Sequence, residues 1–330
     1  MHDQIILIIT ISLALVYAYG NGLNDAANAI ATAISTRVLS PLTGVLLGGT
    51  MNLVGALTGT AVAKTIGKGI VDPELMSQAA VMAAIISAVA WVFVATRFGL
   101  PVSVSHSLVA GVLGAGVAVA GFGAVKTATF TKVLLALALS PLFGFFAGFI
   151  FMIIIYWAFR KATPTQVTNI FSKLQIGAAA FLAYSHGKND AQNAMGIMAL
   201  AWAVYYSSGQ DVEVMLWMKL SSALMIGLGT ALGGWKVIRT LGMRVTRLQP
   251  VHGFSANMCA AVVIEAASNI GLPVSTTHTS SSSIMGVGAT KRLSAVRWGV
   301  SRGILWAWLV TYPFCAILGW TLAKILGILI

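Results

Sequence analysis

The sequence predicts an all-α polytopic membrane protein built from two inverted-topology repeats of about five segments each, with broken helices or re-entrant hairpins at the centre. Three observations carry that expectation. Hydrophobic residues make up 58% of the 330 positions and charged residues 8%, with a mean hydropathy of +0.89, a balance foreign to water-soluble domains. Apolar stretches long enough to cross a hydrocarbon core of roughly 30 Å, about 20 helical residues, recur along the chain. The string GLNDAANA at Gly22 to Ala29 returns as GKNDAQNA at Gly187 to Ala194, so each half carries one Asn-Asp pair.

The first half reads as apolar segments over 4–35, 41–63, 77–96, 101–121 and 130–159, and the second over 172–206, 213–234, 250–268, 272–290 and 296–329. Residues 1–160 form the first membrane repeat, 161–171 a cytoplasmic linker and 172–330 the second repeat. An odd number of segments per half turns the second half over in the membrane, as in many secondary transporters. Met1-His2-Asp3 offers no basic leader and no small-residue cleavage site follows, so the first segment is expected to stay in the bilayer. A straight helix over its whole length would run about 48 Å at roughly 1.5 Å per residue. A break is therefore expected at Gly20–Asn24, where glycine permits unusual angles, and at Ser185–Asn189 in the second half.

Loop charge gives an independent reading of orientation, because cytoplasmic loops hold the excess of Lys and Arg. One side collects Arg37, Arg97, Arg160, Lys161, Lys173, Lys236, Arg239, Arg244, Arg247, Lys291, Arg292 and Arg297. The other has Lys64, Lys68, Lys126, Lys132 and Lys219, diluted by Asp72, Glu74, Asp211 and Glu213. The rich side is expected in the cytoplasm, with both termini outside the cell's inner membrane. The net charge of +12 then reports topology and headgroup contact; without a basic soluble domain, nucleic acid is not an expected partner. Cys259 and Cys315 lie in apolar runs without paired spacing and are read as packing residues.

Aspartate at a bilayer centre costs roughly 2.5 to 3.5 kcal/mol on insertion scales, and its repetition at matched positions points to two acids serving one purpose, the mark of a transport site. The competing reading is a pair of helix caps at the membrane surface. A second duplication has the same logic: Gly99-Leu-Pro-Val-Ser103 returns as Gly271-Leu-Pro-Val-Ser275, each followed by a histidine, His106 and His278. Hydroxyls at a helix start stand beside free N–H groups at the positive end of the dipole, a nest suited to a tetrahedral oxyanion. The plainer alternative is helix packing by small hydroxylated residues, which Ser280 to Ser283 fit best. The two histidines read as orienting groups before proton carriers, and Glu265, unmatched in the first half, as a structural or coupling carboxylate.

The two NDxxNA strings, Asn24 to Ala29 and Asn189 to Ala194, together with Pro273-Val-Ser-Thr-Thr-His278, resemble the inorganic phosphate transporter (PiT) family over nearly the whole chain, in its compact bacterial form. The resemblance implies a secondary transporter, not an enzyme, that imports orthophosphate by symport with a proton or sodium ion, uses no cofactor, and is compatible with a homodimer or a metal-phosphate substrate. Asn24, Asp25, Asn189 and Asp190 would form the cation-coupling set, with Asp25 and Asp190 as metal ligands if sodium is the ion. Ser103, Ser105, Ser275, Thr276, Thr277, Asn28 and Asn193 would bind phosphate, supported by His106, His278, Gln192 and Glu265. Val104 stands where the second copy has a threonine, so the two nests are not equivalent. Oxygen ligands fit sodium and the compact bacterial character fits protons.

Sulfate, also tetrahedral, is the rival substrate. Phosphate keeps a proton that can be donated to acceptors such as Asp25 and Asp190, and sulfate does not. A membrane phosphatase using Ser275 or His278 would need cationic groups around the transferring phosphoryl, and of the basic residues only Lys188 lies inside the duplicated motifs. A passive channel would show no accumulation against a gradient.

Overall fold

The computed structural model describes residues 2–206 and 212–329; Asp211, one of the acids on the charge-poor side, lies outside them. The first half contains α1 (His2–Ser35), α2 (Pro41–Ala56), α3 (Ala61–Lys68), α4 (Gln78–Phe98), α5 (Val104–Ala120) and α6 (Thr127–Ala158). The second contains α7 (Pro164–Tyr206), α8 (Leu216–Leu232), α9 (Trp235–Arg239), α10 (Pro250–Asn269), α11 (Thr276–Ala289) and α12 (Trp298–Leu329), with a π-turn over Thr240–Arg244 after α9. Among the described residues the β pairing recorded is an isolated bridge between Val71 and Val125.

The halves correspond element by element, and their contacts correspond too. Helix α1 packs on α8 as α7 packs on α2; α5 packs on α12 as α11 packs on α6; α1 and α4 pair as α7 and α10 do. Pro141 in α6 and Pro313 in α12 occupy matching places. Those two helices are the most lipid-like surface, exposing Leu142, Phe143 and Ile150 on one and Trp306, Leu309 and Ile317 on the other. Their inner faces carry small residues: a Cβ on Gly144 would stand 2.5 Å from the Thr279 carbonyl oxygen, so glycine lets α6 lie against α11 backbone to backbone.

The breaks fall elsewhere than expected. Both α1 and α7 run through Gly20–Asn24 and Ser185–Asn189 without interruption. The motif glycines serve close approach instead, because a Cβ on Gly22 would lie 2.3 Å from the Ile226 carbonyl oxygen and one on Gly187 2.1 Å from that of Asn52. Bending occurs on the helices they touch, between α2 and α3 (71°) and between α8 and α9 (59°).

Two segments expected as spans are shorter than spans. Helices α5 and α11 have 17 and 14 residues, about 25 and 21 Å at roughly 1.5 Å per residue, less than the roughly 30 Å core. Each returns from a tight loop after α4 or α10, making the hairpins the fold class allows. Gly99 (φ 70) and Gly271 (φ 74) end α4 and α10 in the left-handed conformation, and the amides of Leu100 and Leu272 close back on Ala95 and Ala267. Glycine fits that position and the proline after it prevents the helix from resuming. Helices α1, α4, α6 and α12 are long and apolar enough to cross singly, and each bent pair is if taken as one span.

The stretch 161–171 is linker only at its start, since α7 begins at Pro164. Thr163 and Gln166 bond reciprocally, amide to side chain, at 2.9 and 3.3 Å, and proline suits a first helical turn.

Candidate functional site

The duplicated motifs lie on the facing middles of α1 and α7, which pack together, and the starts of α5 and α11 close on them from the hairpins. Asp25 and Asp190 are both 1% exposed, and they converge: the Thr276 hydroxyl is shared between Asp25 Oδ2 at 3.2 Å and Asp190 Oδ2 at 3.0 Å. Thr277 donates to Asp25 Oδ1 at 2.6 Å and accepts from Asn28 Nδ2 at 3.0 Å. The matching bond in the other half runs from Asn193 Nδ2 to Ser105 Oγ at 2.8 Å. Asn28 Oδ1 and Asn193 Oδ1 remain buried without a hydrogen-bond partner among the described residues. Two matched, desolvated acceptors beside two carboxylates form a place for a cation or for a protonated anion.

The nests are unequal for the reason legible at Val104. Thr276 reaches both acids, whereas Val104 has no hydroxyl and contributes its carbonyl to Tyr17, whose OH donates at 2.9 Å. Ser103 and Ser275 act as N-caps, accepting from the amides of His106 and His278 at 3.1 Å. Asn24 and Asn189 tie the hairpins to the motif helices. Asn24 donates to Thr96 Oγ1 at 2.9 Å and Leu100 O at 3.2 Å. Asn189, with its amide oriented by the surrounding network, accepts from Ser268 Oγ at 2.8 Å and donates to Val274 O at 3.2 Å.

Supporting residues sit farther out. Gln192 Oε1 accepts from the Ala63 amide at 3.1 Å, near the start of α3. His106 and His278 meet edge to face with centroids 4.6 Å apart, and His278 stacks on Trp308 at 3.7 Å. Glu265 pairs with Lys188 on α7, and Asn269 accepts from the same ammonium at 2.7 Å.

The site also contains a residue that the sequence reading assigned no role. His186, one turn before Asp190, is wholly buried, with Nε2 3.2 Å from Asp190 Oδ2 and 3.6 Å from Asp25 Oδ2. Its Nδ1 lies 2.7 Å from Asn52 Oδ1, and the Asn52 amide nitrogen donates to Thr230 at 2.8 Å. That bond makes the Asn52 oxygen an acceptor, so Nδ1 carries hydrogen. Nε2 then faces two carboxylates, an arrangement that is stable only with a further proton, on the ring or on an acid, or with a cation in the gap. Asp25, His186 and Asp190 offer ligand atoms within 4.8 Å of one another. Duplication hid this residue, because the first copy has Asn21 at the corresponding place; the signal available was that difference one turn before the shared acid.

A family model described as the phosphate transporter family matches residues 21–167 and 158–319. The chain belongs to that family. It is 43% identical over 323 residues to a Bacillus subtilis protein named "Probable low-affinity inorganic phosphate transporter", covering 96% of each chain. A Rhizobium meliloti protein of the same name is 40% identical over 309 residues, covering 93% of this chain and 92% of that one. A solved structure titled "The sodium-dependent phosphate transporter" superposes with a TM-score of 0.88 at 28% identity, covering 98% of this chain and all of the other. The relatives of this family member are transporters, so the site is to be understood in terms of binding and release; the phosphatase and sulfate readings gain nothing from them.

Proposed function

We propose that this protein is a secondary active transporter of the plasma membrane that imports inorganic phosphate by symport with a cation. The observation that carries the reading is the convergence of Asp25 and Asp190 on one hydroxyl, that of Thr276. Two carboxylates repel an incoming anion, and a cation that neutralises them lowers the penalty of admitting it. Anion and cation each bind poorly alone, because an unpaired charge in a dry cavity is expensive. Joint occupancy is what permits the halves to rearrange around the site. Once the acids are neutralised, Thr276 and Thr277 are free to turn their hydroxyls to phosphate oxygens, with Ser105 opposite and the open oxygens of Asn28 and Asn193 accepting from a protonated phosphate.

For the coupling ion, the position of His186 favours a proton. Hard cations prefer oxygen ligands, whereas here an imidazole nitrogen fills the space between the acids. The solved relative is titled sodium-dependent, so the ion is the point at which this chain is read as departing from it. The matched helix contacts of the two halves support the inverted-repeat reading, and the loop charges support placing both termini outside.

The test is radiolabelled phosphate uptake into sealed liposomes, with proton and sodium gradients imposed separately. Uptake driven by an acid exterior and reduced at least tenfold in Asp25→Asn and in Asp190→Asn is the expected result. Absence of uptake under either gradient would refute phosphate symport, and uptake driven by sodium alone would refute the proton.

A further inference from the structure

The two flanks of the site are built alike but charged differently. On one flank, at the α2–α3 bend, Lys188 is neutralised by Glu265. The corresponding flank at the α8–α9 bend has Leu23 and Phe93 where the first has that pair, and Arg97 where it has Asn269. There a cavity of about 430 Å³ is lined by Phe93, Thr96, Arg97, Gly234, Trp235 and Lys236. Its lining is one hydrogen bond from the motif helix, because Thr96 Oγ1 accepts from Asn24 Nδ2 at 2.9 Å, and Asn24 precedes Asp25. Lys236 Nζ donates to the Arg97 backbone carbonyl at 3.0 Å, which holds the ammonium at the Arg97 end of α4. Among the described residues, no ion pair is recorded for Arg97 or Lys236. Of the chain's acids, the segments that build this flank carry only Asp25 and, at the far end of α1, Asp3.

We propose that the Arg97–Lys236 cavity is a second anion site, a vestibule that holds a phosphate oxyanion on its way to or from the central acids; this rests on the phosphate-transport reading above. A guanidinium fork and an ammonium are suited to phosphate oxygens. A cleft of one sign with low-dielectric walls raises the local concentration of the opposite sign. On the opposite flank Lys188 is paired with Glu265, and the α3 lysines, Lys64 and Lys68, lie on the side whose loops also carry Asp72 and Glu74. The transporter is therefore asymmetric toward its substrate, with tighter capture at the Arg97 face, which the loop charges place in the cytoplasm. Phosphate accumulating there slows further net import by reoccupying the vestibule.

The experiment uses proteoliposomes of uniform orientation and measures half-saturation by [32P]phosphate exchange at each face. In phosphatidylcholine, Arg97→Gln/Lys236→Gln is expected to raise half-saturation at its own face at least fivefold and at the other face by less than twofold. Equal values for variant and wild type at both faces overturn the vestibule, as does an equal shift at both, which would indicate a general structural defect. If the double variant fails to purify as a monodisperse peak, Lys236→Gln alone decides, with at least a twofold shift required at that face. A second arm adds phosphatidylglycerol. A rise in wild-type half-saturation at this face that is absent from the variant identifies lipid headgroups as competitors for the same phosphate-binding groups. A wild type that exchanges no phosphate at either face refutes the transport reading itself, which separates that failure from failure of the vestibule.

Discussion

His186 is held by one neutral bond on one side and two acids on the other, which makes its substitution informative. Glutamine can keep a donor toward Asn52 or toward the acids but cannot carry the proton. His186→Gln is expected to lose acid-driven accumulation at least tenfold while retaining measurable phosphate exchange at equal pH on both sides; full acid-driven accumulation in that variant would remove the residue from coupling. Asn52→Leu acts through the same contact. It strips the ring of its acceptor and Thr230 of a donor, and an unmade buried bond costs about 1–3 kcal/mol, to be read as a lower melting temperature in detergent together with weakened coupling. Unchanged melting and transport would show that Asn52 does not set the ring. How much of this was legible depends on the residue. The Asn-Asp pairs and the matched hydroxyls of Ser105 and Thr277 announce themselves by repetition and lie in one site together with Thr276, which the first half replaces by Val104, whereas His186, Asn52 and Thr230 occur once each, on three helices, and only folding brings them together.

Glycine carries two meanings at the level of helices, and sequence alone does not distinguish them. At Gly99 and Gly271 the following proline discloses a helix end, and the structure has one with positive φ. At Gly22 and Gly187 the same residue type lies inside continuous helices, and its use is contact with a neighbouring backbone. Length arguments favoured a break there because a helix of that length outruns a roughly 30 Å core, yet α1 and α7 continue unbroken for 34 and 43 residues. Gly187→Ala would place a methyl 2.1 Å from the Asn52 carbonyl oxygen, and since that atom is backbone, α2 must move. Overpacking of this kind costs about 1–3 kcal/mol, and it displaces the residue that orients His186. A fall in melting temperature with at least a fivefold loss of uptake is expected, while Gly177→Ala, with open space around its Cβ, should change neither. Equal behaviour of the two variants would contradict the close-approach reading.

At the scale of the molecule, exchange of the halves reproduces the pattern of helix contacts, and the loop charges give the placement to be tested. Asp3, Ser77, Val119 and Lys324 line one cavity at one end, although they come from four separate parts of the chain. Arg160, Pro164 and Gln249 gather around another. These are the groupings that alternate crossings require, with the first on the charge-poor side and the second on the charge-rich side. Orientation follows if Lys and Arg are retained in the cytoplasm. Single cysteines at Asp3 and Lys324, introduced after replacing the buried Cys259 and Cys315 by alanine, should react in intact cells with a membrane-impermeant maleimide. A cysteine at Lys161 or Arg247 should react only after the membrane is opened. Labelling of Asp3 and Lys161 from the same side would break the alternation itself, while the mirror-image pattern would keep the fold and reverse its placement. In that second case the Arg97–Lys236 face would open to the exterior, and a basic vestibule there would serve to capture phosphate for import instead of to hold it back.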